Sequence, residues 1–429
     1  MNYLKQVLNI ALLVLVSFAG IKPVQATNLP FEQIITPQQA KRDIAQWSQW
    51  LHSTHPDLKH SVADIDAFYL QLNTITAAIT DELSVRELWA RLAVLNSTLA
   101  DGHLKVGHAS TSQWRKWVNG GVGLFPFEVA IVNQQLYIKS NTGGTKSGYA
   151  EQQIKAINGV PYEQVVAQLL RRTHGDTDEF RQEVLARQFH RLLYLTFGYS
   201  EQFSITLADE ELTLAASKTL PQSMVERSFV DTFNVEYTGE TATLTVNSFS
   251  WPDFKQYLAF MDATFTQLTE KNIKHLIIDI SNNGGGDDDF WMAGIMRYIT
   301  DVPYRHFSHY RSKVLLKYRD PGQIVGEIES GENTRFIQPE PDLANFFTGD
   351  VAVKIGAYTY SSAIVFANTL QDFSIAPLVG EDTTGRSTQT GGIQFLNLIH
   401  SNLQMVSPRF ILTRPNGELQ MTGVKVSSL

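Results

Sequence analysis

The sequence contains no cysteine. That absence excludes disulfides, a thiol nucleophile, cysteine-ligated zinc and lipid attachment through an N-terminal cysteine. No block of lysine and arginine occurs either, and the formal charge is −8 at pH 7. Such a balance favours solubility and argues against nucleic acid or an anionic membrane as a partner. Internal repeats and low-complexity tracts are missing. Around Asp287-Asp288-Asp289 there is no EF-hand-like spacing, so these acids read as complements to a helix start. His52, His55 and His60 have no acidic ligand close by and read as surface or capping residues. The leading apolar run, residues 10–19, is about half of the ~20 residues a spanning helix needs. With Lys5 before it and Val24-Gln25-Ala26 after it, it fits a cleaved secretory signal over residues 1–26. A secreted or periplasmic protein is expected, with no stable membrane anchor once the signal is removed.

What remains is a foldable chain, 43% apolar and 18% charged, long enough for two or three domains. Residues 27–115 read as a helical domain. Pro37 suits a helix start, and Ser84-Val85-Arg86-Glu87 has the form of a capping box. Residues 116–175 change to short strands, an Asn158-Gly159 turn and a helix. Residues 176–429 read as an α/β region, with apolar strands at 241–246, 275–280 and 351–355 separated by helices at 251–271 and 290–299. That alternation predicts a parallel or mixed sheet covered by helices, closed by a β-region over residues 388–429.

Three short windows carry the chemistry. Val351-Ala-Val-Lys-Ile355 suits a buried strand, and the residues from Ser361 to Asp372 suit a helix. Ser361 therefore opens a helix, where unpaired N–H groups and the dipole suit either an N-cap or a nucleophile generating an oxyanion. Ser362 is the competing nucleophile. Leu276-Ile-Ile-Asp-Ile-Ser-Asn-Asn-Gly-Gly-Gly286 is a strand running into glycines, and Leu99-Ala-Asp-Gly-His103 is a turn bearing a histidine. After that turn Leu104 and Val106 share one strand face, which leaves His103 and Lys105 on the other. His103 reads either as a turn-stabilising residue or as a base. A hydroxyl, an imidazole and a glycine-rich backbone loop are the parts needed for acyl transfer.

Together these windows resemble the tail-specific, or C-terminal-processing, serine peptidase family. The family's Asp-Leu-Arg-x-Asn-x-Gly-Gly loop is matched by Asp279-Ile-Ser-Asn-Asn283-Gly-Gly285-Gly286. Its Ser-Ala-x-Glu helix start is matched around Ser361 with Ile364 in place of the Glu. Its Gly-Glu-x-Thr-x-Gly segment is matched by Gly380-Glu-Asp-Thr-Thr-Gly385, and one branch carries the Asp-Gly-His turn. The resemblance implies an α/β core of the ClpP/crotonase type, an N-terminal helical domain and a PDZ-like β-rich module over residues 116–175. It implies a peptide or protein substrate.

The resemblance also assigns roles. Ser361 becomes the nucleophile. The lysine base of part of the family is Arg386 here, and arginine cannot serve as a base. His103 is therefore the expected general base, with Arg386 left as a contact for a substrate carboxylate. Gly285, Gly286 and the Ser362 amide are the expected oxyanion hole, and Asn283 the residue that shapes the loop. The branch's orienting glutamate falls at Gln420. Glu418 and Asp101 are the other candidates. No metal or organic cofactor is expected. The expected activity is a serine peptidase. The rivals are a non-catalytic relative binding peptides or small hydrophobic ligands, favoured by Arg386, Gln420 and Ile364, and an esterase.

Overall fold

The computed structural model describes residues 29–427, so the expected signal segment lies outside the described residues. Helices begin where side chains can satisfy free N–H groups. Thr36 caps the helix Pro37–Thr54, with Gln39 returning the bond, and Ser84 and Glu87 form the same reciprocal pair at Val85–Leu92. Among the described residues no helix is long and apolar enough to cross a membrane.

A five-stranded sheet forms the centre of the C-terminal half. Its strands are β1 (Phe233–Thr238), β2 (Thr241–Val246), β3 (His275–Asp279), β4 (Asp350–Ile355) and β5 (Leu378–Gly380), in that spatial order. The β1–β2 pair is antiparallel and the others are parallel. Burial alternates along the strands. Leu244, Leu276, Ile278 and Val353 are fully enclosed, whereas Ile277 and Ala352 are half-buried. One face is thus more deeply covered than the other. Helix α1 (Phe254–Glu270) buries Tyr257, Met261, Phe265 and Leu268. Helix α2 (Ser362–Asp372) is buried all round from Ser362 to Leu370, so it lies inside the core rather than upon it. The expected 290–299 helix is interrupted by a wider, π-type turn at Met292–Met296.

Two apolar cores organise the chain. The first runs from Ile35 to Met224 and takes in Leu398, Leu403 and Met405; the second is built on the five-stranded sheet. Neither follows boundaries at 115/116 or 175/176. Helical residues such as Trp47 and Trp89 share the first core with Phe125, Ile138 and Phe203 from the β-rich segment. That segment extends beyond residue 175, because Ala156–Ile157 pairs with Gln202–Thr206, which pairs with Glu211–Ala215. The helix Asp178–Phe197 spans both cores, giving Phe180 and Val184 to the second and Leu185, Phe189 and Leu192 to the first.

The C-terminal strands close the structure by returning to the N-terminal half. Gln404–Ser407 pairs antiparallel with Lys105–Val106, and Gln389–Gly391 pairs with Phe410–Thr413. A buried carboxylate fixes this return. Asp43 accepts the backbone N–H groups of His400 at 3.0 Å and Ser401 at 2.7 Å. Asp43→Ala would strand both donors. It is expected to destabilise the protein by about 2–3 kcal/mol, read as a lower midpoint in urea denaturation.

Candidate active site

Parallel strands β3 and β4 lie side by side, with Ile278 opposite Val353, so the loops leaving their C-terminal ends are neighbours. The loop after β3 carries the glycines and the loop after β4 leads to Ser361. Asn283 locks the two together. Its side chain donates to Val246 O at 3.0 Å and accepts from the Gly285 N–H at 2.8 Å, while its carbonyl accepts from Tyr360 N at 3.0 Å. Thr359 adds a bond from its hydroxyl to Ile280 O at 3.0 Å. The loops touch so closely that a Cβ on Gly285 (φ +102°) would lie 2.6 Å from Ser361 Cβ. Only glycine fits there.

Ser361 occupies the N-cap position of α2 but makes no capping bond, and its φ is +55° with ψ −128°. That conformation costs a non-glycine residue about 1–3 kcal/mol. It turns the hydroxyl away from the helix and towards His103, whose Nε2 is 3.0 Å from Ser361 Oγ. Ser362 points elsewhere. Its hydroxyl bonds Asp288 Oδ1 at 2.5 Å and Trp291 Nε1 at 3.1 Å. Its amide follows Ser361 directly.

The network behind His103 fixes the tautomer. Thr390 donates its single hydroxyl proton to Asp101 Oδ1 at 2.8 Å. Thr390 Oγ1 also lies 3.0 Å from His103 Nδ1, so it must accept the Nδ1 proton. Nε2 is then unprotonated and faces the Ser361 hydroxyl. Asp101 further accepts from the His103 N–H at 2.8 Å and from Ser61 Oγ at 2.6 Å. His55 Nε2 is 4.0 Å from Asp101 Oδ2, too far to bond it, and reaches it through Ser61 at 3.1 Å. Burial raises the Asp101 carboxyl, but His55, His103 and Ser61 outweigh it and the net shift is downward. Burial lowers the His103 imidazole below its ordinary value, against the opposing pull of Asp101 and Asp176. Lys105 adds to the lowering.

Asp176, which no sequence feature marked, ties three segments beneath the site. Its carboxylate accepts from Gly102 N at 2.5 Å, Tyr360 Oη at 2.6 Å and Arg386 N at 3.0 Å. The Tyr360 ring stacks on Phe180 at 4.2 Å and lies 5.0 Å from the His103 ring.

Several expectations are corrected by this geometry. Gln420 does not reach His103; its Oε1 accepts from Arg414 and its amide nitrogen donates to Gly423 O at 2.8 Å. Glu418 accepts from Asn416. Thr390 and Asp101 stand in the orienting position instead, because the strand pairing with Phe410–Thr413 delivers Thr390 there. Arg386 is buried and turned inward, its guanidinium on the carbonyls of Asp176 at 3.3 Å and His60 at 3.4 Å. It is therefore not displayed to a substrate carboxylate. The Gly285 N–H is engaged by Asn283, and Gly286 lies against the Phe249 backbone, which leaves the Ser362 amide as the one next to the hydroxyl. His55 is buried rather than superficial, and it is the C-cap residue of Pro37–Thr54, as the capping alternative had it. In place of the family's arginine, Lys354 pairs with Asp279 at 2.8 Å.

Residues 240–426 match the model described as peptidase family S41. No curated protein matches in sequence. Among solved structures, mature CPAF complexed with lactacystin is 13% identical, covering 91% of this chain and 93% of that one, with a TM-score of 0.64. Mature CPAF is 14% identical, covering 91% and 92%, with a TM-score of 0.62. A photosystem II D1 C-terminal processing protease is 13% identical over 90% and 92%, with a TM-score of 0.49. The fold is therefore the mixed α/β fold of the S41 peptidases. The match to that family covers residues 240–426.

Substitutions at two positions test the local physics. Ser361→Gly is expected to be more stable than Ser361→Ala by about 1 kcal/mol, because glycine tolerates the positive φ and no capping bond is lost in either. Chemical denaturation of the two variants reads the difference. Thr390→Val keeps the shape but removes the link between His103 and Asp101. It is expected to lower kcat at least about tenfold, about 1.4 kcal/mol of barrier, with KM nearly unchanged in steady-state assays.

Proposed function

We propose that this protein is a secreted or periplasmic serine peptidase, cleaving peptides through an acyl-enzyme at Ser361 with His103 as general base. One observation carries the reading. An imidazole nitrogen with its lone pair free lies 3.0 Å from a serine hydroxyl held in a strained turn. In the first step the Ser361 proton passes to His103 Nε2 while Oγ attacks the scissile carbonyl. The charge on the carbonyl oxygen is met by the Ser362 amide at the start of α2, with the glycine loop after β3 as the source of a second donor. The imidazolium is stabilised by Asp101 through Thr390 and then gives its proton to the leaving amine. Water, activated by the same nitrogen, releases the acid.

The five-stranded sheet and its helices fit a core of the ClpP/crotonase type, and residues 116–175, with the strands that extend them, fit a PDZ-like peptide-binding module. The strain at Ser361 favours the enzyme over a non-catalytic binder. A residue that merely starts a helix would relax and cap it.

A fluorophosphonate probe is expected to label the wild-type protein at Ser361 and to leave Ser361→Ala unlabelled, with Ser362→Ala still labelled. Failure to label the wild type would sink the hydrolase reading. Activity needs neutral His103, so it rises with pH through the imidazole's pKa. Because that pKa is lowered, the acidic limb of the kcat/KM profile is expected below 6.5, the ordinary histidine value. Asp101→Asn removes a charge that raises the pKa and should move the limb further towards acid while cutting kcat.

A further inference from the structure

A cavity of about 670 Å³ opens between the two cores, bounded by Gly284, Gly285 and Tyr358 on one side and by Lys105, Arg187 and Arg191 on the other. Arg172 and Arg227 also reach it, and no aspartate or glutamate lines it. In a chain with a formal charge of −8, five cations around one acid-free cavity require an explanation. Among the described residues none of the five makes an ion pair with a carboxylate.

Their roles differ. Arg172 is spent on the carbonyls of Ala90 and Gln168 at 3.0 and 2.9 Å. Arg191 is not. It is buried, one terminal nitrogen holds Thr111 Oγ1 at 3.1 Å, and its Nε has no partner among the described residues. Arg187 lies over the Tyr358 ring at 3.6 Å, with one nitrogen on Asn282 at 3.0 Å. Lys105 opens the short strand Lys105–Val106 that follows the His103 turn, and burial and Arg191 push its ammonium down to about 8. Unpaired buried cations are costly, and an anion among them would offset that cost.

We infer that this cavity is a subsite for the acidic side chains of a peptide, whose aspartates or glutamates pair with Arg191, Arg187 and Lys105. The inference rests on the peptidase reading, since Gly285 joins the cavity wall to Ser361. The volume suits a short segment of extended chain, within the range of ordinary ligand pockets. It names a substrate class: peptides acidic beside the scissile bond.

Binding can be read without hydrolysis on the Ser361→Ala protein. Labelled peptides with amidated C-termini, bearing two glutamates or the two matching glutamines, are compared by fluorescence anisotropy. The glutamate peptide is expected to bind at least about tenfold more tightly at low salt, with the advantage shrinking as salt screens it. Arg187→Gln and Arg191→Gln should each remove most of that preference, and Arg191→Lys should keep much of it. If Arg191→Gln fails to fold, Arg187→Gln and Lys105→Gln carry the comparison. Equal binding of the two peptides overturns the inference. So does equal competition by a glutamine peptide with a free C-terminus, which would assign the cations to a terminal carboxylate. Fluorophosphonate labelling of the wild type separates the two readings. Labelling without acidic preference removes this inference alone. Acidic preference without labelling supports the subsite and removes the hydrolase.

Discussion

A buried charge must be surrounded by donors, and Asp101 meets that demand with groups from distant parts of the chain. Ser61 comes from the N-terminal helices, His103 from its own turn, and Thr390 from the C-terminal β-region. Each donor is a constraint on where its segment can lie. The carboxylate is thus both a structural clasp and the origin of the polarity in the His103 ring. Removing it would unpair three donors and also release the tautomer that leaves Nε2 free. Asp176 performs a similar service on the far side, drawing Gly102, Tyr360 and Arg386 to one point. Between these two acids the imidazole has little freedom to rotate.

The hydroxyl side of the site depends on a different constraint. Two parallel strands end at the same level, and the loops that leave them must share the space above the sheet edge. Glycine on one loop allows the other to approach to contact. Asn283 then bonds both, so the loop geometry is set by backbone pairing rather than by packing alone. The positive φ of Ser361 follows from that crowding. Its strain is held in place by the fully buried helix behind it.

What the sequence made legible was what is local. Apolar strands followed by glycines or by a serine-led helix announce themselves within a dozen residues, and so the neighbourhood of Ser361 and the glycine loop could be read directly. Strand parity after the Asp101-Gly102 turn singled out His103, but the strand is only Lys105–Val106 and His103 is a buried turn residue. The partners of the imidazole were not legible. Thr390, Ser61 and Asp176 are ordinary polar residues, given their positions by pairings across 40 residues or more. Gln420 misled because it occupies a place where a family glutamate is expected, while its side chain serves Arg414. Arg386 misled because a charge seemed to need a ligand, when the carbonyls of Asp176 and His60 already hold it. The domain boundaries were drawn where composition changes, but burial ignores composition. One core takes apolar side chains from helices and strands alike.

The histidine and the serine belong to segments that emerge from synthesis 258 residues apart. At about 5–20 residues per second, that is an interval of roughly ten seconds to a minute. During it one segment has no counterpart at all. In the complete chain the histidine's segment is further tied down by residues 404–407, which pair with the strand at 105–106. A half-made or loosened molecule therefore lacks the pair. Wide separation along the chain makes the chemistry itself a report that folding is finished.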